Sequence, residues 1–138
     1  IHQKIANQRS DFQHKLSTNL IKAYDLIAVE KLNIKGMSRG ILSKQILDAS
    51  WGSFLDKLKY KAESAGRQLV EVDPRGTSQT CICGVVVKKD LSVRWHHCAA
   101  CGHSEHRDIV SAKVILQRAG QVLKDITCRN TESVSLAA

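Results

Sequence analysis

Residues 77–84 read TSQTCICG, and residues 98–102 read CAACG, so the chain carries two cysteine pairs that do not match. The first is Cys81-x-Cys83 and the second Cys98-x-x-Cys101, with Gly84 and Gly102 directly after the second cysteine of each pair. Two such pairs joined by a short β-rich stretch, VVVKKDLSVRW (85–95), have the sequence form of a zinc ribbon. Each pair makes a tight turn that presents two thiolates to one side, and the glycine after it lets the backbone take a positive φ. Four thiolates close a tetrahedral site with no open position, which makes such a zinc structural rather than catalytic. The first spacer is one residue shorter than usual. A one-residue spacer can still bring two sulfurs to one ion through a more strained loop, and His96, His97 or His103 are the substitutes if Cys81 or Cys83 does not reach. Isolated thiols without metal and a thioredoxin-type redox pair are the competing readings. The second is disfavoured because Cys98-x-x-Cys101 does not follow the first strand of a βα unit.

Working outward, the 138 residues suit one domain of ordinary size, with 21 Lys and Arg against 13 Asp and Glu for a formal charge of +8. That excess favours a polyanionic partner through phosphate contacts and counterion release. Lys88, Lys89, Arg94 and Trp95 lie between the cysteine pairs and suit a finger that touches phosphate and stacks on a base, although Trp95 by itself is better expected to pack on the ribbon. No apolar run approaches the ~20 residues of a membrane span, and IHQKIANQRSDF (1–12) has no signal-peptide core. A cytoplasmic protein is expected, where thiols stay reduced and paired cysteines point to metal. The chain opens on Ile1 and its one methionine is Met37, which reads as the C-terminal part of a longer protein.

Residues 2–24 place Ile5, Phe12, Leu16, Leu20 and Ala23 at helical spacing. LIAV (26–29) is too short and too continuously apolar for a surface helix and reads as a buried strand stopping at Glu30, before a polar loop KLNIKGMSRG (31–40). Leu42, Ile46, Trp51, Phe54, Leu55, Leu58 and Ala62 predict a helix over 42–65, ended by Gly66 in a left-handed cap. LVEV (69–72) is a second strand, closed by Asp73 and Pro74, and the order predicts an α/β fold with parallel strands joined by the helix. Ser104 is the expected N-cap of a last helix that ends at Gly120. Its face is defined by Ile109, Ala112 and Leu116 and widened by Val110, Val114 and Ile115. Residues 121–138 read as a tail without regular structure, with Cys128 a free thiol of no assigned role.

Glu30 and Asp108 are two carboxylates that an α/β sheet could bring to one edge, where they would hold Mg²⁺. Taken one at a time, a strand-end glutamate is usually only solvated, and an acid in a first helical turn is explained by the helix dipole. The stretches NQRSDFQHKLS (7–17), IAVEKLNIKGM (27–37), SWGSFLDKLKYKAESAGRQLVEVDPRGTSQTC (50–81), CAACG (98–102) and RDIVSAKVIL (107–116) change that weighting. Together they resemble the C-terminal part of the TnpB/OrfB proteins of bacterial insertion sequences, relatives of the type V CRISPR effector nucleases, over about residues 1–120.

The resemblance implies a partial RuvC-like, RNase H-type fold without its early strands. Residues 1–75 and 104–120 would form its core and 76–103 an inserted zinc ribbon. It implies that Glu30 and Asp108 match two of three acidic residues that hold catalytic magnesium for cleavage of DNA, with a guide RNA from the transposon end as a second partner. Arg107 matches the residue that precedes the acid and would contact nucleic acid near the scissile bond. The family's other aspartate sits in an early apolar strand before glycine. Asp11 and Asp25 do not have that setting, so the chain alone is expected not to cut. A non-catalytic ribbon that binds nucleic acid is the alternative. Val110 stands where many members have asparagine. No oligomeric state is implied.

Overall fold

A computed structural model describes residues 2–37, 50–90 and 92–135. In chain order the elements are α1 (His2–Ala23), β1 (Leu26–Glu30), a one-turn α2 (Ile34–Met37), α3 (Trp51–Ser64), β2 (Gln68–Val72), a 3₁₀ turn (Thr77–Gln79), β3 (Trp95–His97), β4 (Ser104–His106) and α4 (Arg107–Ser135). They form two units, one of Ile1–Ile27 with Leu32–Leu69 and the other of Ala28–Lys31 with Val70–Ala138. β1 and β2 pair with each other, and β3 pairs with β4. Gln68 N–H donates to Asp25 O and Lys31 N–H to Val72 O, each at 2.9 Å. Because the two bonds advance together along both strands, the pair is parallel, as α3 between them requires.

In the first unit Ile21, Leu58 and Ala62 are buried, with Leu20, Ile27, Phe54, Leu55 and Leu69 packed around them. Burying a side chain such as Leu58 contributes about 1.5–3 kcal/mol. The buried stripe of α1 is not the one its apolar spacing predicts: Gln13, Ser17 and Ile21 face inward, while Ile5, Phe12 and Leu16 stay exposed. Hydrogen bonds between α1 and α3 offset the cost of burying polar groups. Lys61 Nζ donates to His14 O, Ser17 Oγ and Thr18 Oγ1 at 2.7–2.8 Å, which uses all three of its protons, and Lys57 Nζ donates to Gln13 Oε1 at 3.1 Å.

Two helix boundaries differ from expectation and one agrees. Of the helix predicted over 42–65, Leu42 and Ile46 lie outside the described residues. Ser50 at φ 52° sets the start of α3 at Trp51, since a left-handed residue cannot continue a helix through that point. The predicted end at Gly66 holds: its φ is 64°, Gly66 N–H reaches Glu63 O, and Arg67 N–H reaches Ala62 O, the two bonds of a Schellman cap. At the other end of the chain, α4 runs through Gly120 to Ser135, where the sequence suggests a stop and an irregular tail. A mid-helix glycine costs only about 1 kcal/mol, and no proline follows it. Cys128 falls where side chains are not described.

In the second unit the buried apolar side chains include Val70, Val72, Val110, Val114 and Ala119. Of the residues that only widened the predicted face of α4, Val110 and Val114 are therefore the ones inside and Ile115 is half-buried, while Ile109 and Leu116 are about half exposed. Val110 is 1% exposed and acts as a packing residue.

Candidate metal centre and flanking carboxylates

The cysteine pairs resolve the mismatch that the sequence poses. At the first pair Gly84 N–H returns to Cys81 O at 2.9 Å; at the second Gly102 N–H returns to Cys98 O at 2.8 Å. The missing spacer residue is absorbed by tightening the turn from an i+4 return to an i+3 return. Gly84 at φ 88° and Gly102 at φ 73° take the positive φ that the spacing predicts. Each turn is also closed from outside, by Cys81 N–H to Val85 O and Cys98 N–H to His103 O, both at 2.9 Å.

Each pair offers one buried sulfur, Cys81 or Cys98, and one exposed sulfur, Cys83 or Cys101, and the four Sγ atoms lie within 4.8 Å of one another. Across the pairs Cys81 and Cys101 are 3.6 Å apart and Cys83 and Cys98 3.8 Å apart. Four sulfurs at ~2.3 Å from a tetrahedral zinc are separated by about 3.8 Å, so the cage fits that ion. It is far too open for disulfides, which need about 2.05 Å.

Charge supports the same conclusion. The Cys101 and Ala100 amides pull the Cys98 thiol down to about 7 against the burial that raises it. At Cys101 the His103 amide acts in the same sense, but the thiols of Cys83, Cys81 and Cys98 together with burial outweigh it and hold the group up at about 12. Thiolates packed this closely cannot all ionise without a cation among them.

None of the three histidines is needed as a ligand. His96 is fully buried with Nδ1 2.5 Å from Lys89 Nζ, and His103 Nε2 faces Glu105 Oε2 at 3.1 Å. His97 is exposed. Burial first, and then the Lys89 ammonium, push His96 below its usual range, so the ring is neutral and accepts from Lys89 at Nδ1. Its Nε2 has no partner among the described residues.

The linker between the pairs is less β-rich than predicted. Among the described residues, apart from a Thr80–Val86 bridge, the strand pairing here falls at β3 and β4, with Trp95 opposite His106 and His97 opposite Ser104. Asp90 turns the chain instead, accepting from Ser92 N–H, Ser92 Oγ–H and Val93 N–H. Ser104, expected as an N-cap, is in β4 and accepts the Trp95 indole N–H at 2.8 Å, while α4 begins at Arg107. Trp95 thus packs edge-on to His106 and keeps 59% of its surface exposed.

Of the predicted basic contacts, Lys88 and Arg94 are exposed and Lys89 turns inward onto His96. Arg107 is buried. It is 8% exposed, its Nη1 donates to Asp90 O at 2.9 Å and Val93 O at 3.1 Å, and its amide donates to Arg94 O at 2.8 Å. A guanidinium placed there clamps the linker to the start of α4.

Asp108 follows in the first turn of α4, 72% exposed, with His106 Nδ1 3.7 Å from its Oδ2. Glu30 closes β1, half-buried, and belongs to the same unit as Asp108. Thr77, 5% exposed, sends its hydroxyl to Glu30 Oε1 at 2.6 Å. Sequence reasoning missed Thr77, because the two residues are 47 apart and no local pattern joins them. Hard carboxylate oxygens of this kind suit magnesium. Among the described residues, the four cysteines are the group of three or more side chains placed to share a metal, and neither Glu30 nor Asp108 belongs to such a group.

A ribbon whose last strand runs directly into a helix opening with Arg-Asp is matched among the proteins of mobile genetic elements. Residues 51–115 match the family described as Cas12f1-like, TNB domain, and residues 1–40 match OrfB_IS605, described as a probable transposase. A "Putative RNA-guided DNA endonuclease" of Streptomyces pristinaespiralis is 37% identical over 84% of this chain and 30% of its own length. InsQ of Escherichia coli (strain K12), of the same description, is 32% identical over 89% of this chain and 35% of its own length. The chain belongs to the TnpB/OrfB family. It spans about a third of the length of these relatives. Its fold is like that of Cas12f1 in the cryo-EM structure of a Cas12f1–sgRNA–target DNA complex, with a TM-score of 0.62 at 18% identity, covering 83% of this chain and 35% of that one. No helix among the described residues is long and apolar enough to cross a membrane.

Proposed function

We propose that this chain supplies the zinc ribbon and two metal-binding carboxylates of an RNA-guided, magnesium-dependent DNA endonuclease, and that it does not cut DNA by itself. In this reading residues 1–75 and 104–120 belong to a RuvC-like core, and residues 76–103 are the ribbon inserted into it. The observation that carries the reading is the direct passage from the sulfur cage through β4 into Arg107 and Asp108, with Glu30 closing β1 in the same unit. The zinc is structural, held by Cys81, Cys83, Cys98 and Cys101. Glu30 and Asp108, with a third acid, would hold magnesium, which would supply activation of the nucleophile and neutralisation of charge on the phosphodiester. The exposed heads of Lys88 and Arg94 contact the phosphates of target DNA or guide RNA. Family membership and the basic charge support those partners.

Manganese relaxation tests the metal assignment in the chain as it stands. Mn²⁺ added to the zinc-loaded protein is expected to broaden the side-chain carboxyl resonances of Glu30 and Asp108 together, and Glu30→Gln should remove the effect at Asp108. Broadening spread evenly over all surface carboxylates would refute a shared site and leave a ribbon that only binds nucleic acid.

A further inference from the structure

Thr77 opens the 3₁₀ turn that leads into the first cysteine pair, four residues before Cys81. Gly76, at φ 70°, precedes it and sets the turn. The Thr77 oxygen is 2.6 Å from Glu30 Oε1 and 3.0 Å from Pro74 O, both of them acceptors. A hydroxyl has one proton, and the shorter contact to the charged oxygen takes it. Among the described residues no donor reaches Glu30 Oε2. The side chain of Thr77 is buried, so water does not compete for the carboxylate on that side.

We infer that Thr77 is a positioning residue: its hydroxyl holds Glu30 Oε1, fixes the carboxylate, and leaves Oε2 as the oxygen available to a divalent cation. The inference rests on the metal role proposed for Glu30 and adds to it a physical link between that carboxylate and the zinc ribbon. A charge-assisted hydrogen bond that pre-orients a ligand is worth about tenfold in cation affinity.

The experiment is a Mn²⁺ titration of the zinc-loaded chain, read by relaxation of the Glu30 carboxyl resonance, in wild type, Thr77→Val and Thr77→Ser. Valine keeps the shape and removes the hydroxyl; serine keeps the hydroxyl. Affinity should fall about tenfold in Thr77→Val and return to within about twofold of wild type in Thr77→Ser. A second readout needs no change at Thr77: its hydroxyl proton should be protected from exchange in wild type and lose that protection in Glu30→Gln. If wild type and Thr77→Val bind Mn²⁺ equally, or if Glu30→Gln leaves the hydroxyl protected, the positioning role is wrong and the metal assignment stands. If wild type shows no binding at Glu30, the metal assignment fails and takes this inference with it.

Discussion

Replacing Cys98 with serine abolishes zinc binding and collapses residues 76–104 while leaving the first unit folded. Cys98 is fully buried, receives the amides of Cys101 and Ala100, and stands 3.8 Å from Cys83. A serine hydroxyl does not ionise to complete the cage. A ribbon with two three-residue strands and an isolated bridge has almost no other source of stability. Metal binding in such modules supplies about 10–16 kcal/mol, which is folding free energy. The first unit is built on Ile21, Leu58 and Ala62 and takes no core residue from the ribbon. Amide spectra should therefore lose dispersion over 76–104 and keep it over α1 and α3, with zinc content falling from one per chain to none. A Cys98→Ser protein that keeps both zinc and ribbon resonances would contradict the four-thiolate cage.

The second large effect belongs to Asp108. With the sequence placed in a complete family nuclease and supplied with guide RNA and magnesium, Asp108→Asn lowers cleavage by about 10³-fold and leaves binding of guide and target within a few-fold of wild type. The side chain is exposed and forms no part of the packing of α4, so its change to an amide of the same shape has little reason to unfold anything. What it removes is a charged oxygen for a cation that stabilises the reacting phosphate by several kcal/mol, and each ~1.4 kcal/mol is a factor of ten in rate. The isolated 138-residue chain should show no magnesium-dependent cleavage with or without the substitution. Clean cleavage by the isolated chain that disappears in Asp108→Asn would show that two carboxylates suffice.

What the sequence made legible was chemistry written over short spans. The cysteine pairs with their trailing glycines predict the turns at Gly84 and Gly102, and Gly66 predicts its cap, because each depends on a few adjacent residues. LIAV and LVEV predict β1 and β2, and the order of elements predicts their parallel pairing. Polar side-chain contacts between distant segments were not legible. The buried stripe of α1 is disguised by Gln13 and Ser17, whose partners lie on α3 or at Ser50, far along the chain. The bonds from the Arg107 guanidinium to the Asp90 and Val93 carbonyls likewise join residues 17 and 14 positions apart, with no local pattern between them. The shortened first pair weakens the sequence case for four equal ligands, whereas the tighter turn at Cys81 restores it.

That first pair is also where one measurement is most decisive. X-ray absorption at the zinc edge of the purified chain should show four sulfur neighbours at about 2.3 Å and no nitrogen or oxygen in the shell. Four sulfurs would establish that Cys81-x-Cys83 delivers both of its thiolates. Three sulfurs with one imidazole nitrogen, or a protein free of zinc, would contradict the cage from which the rest of the account is built.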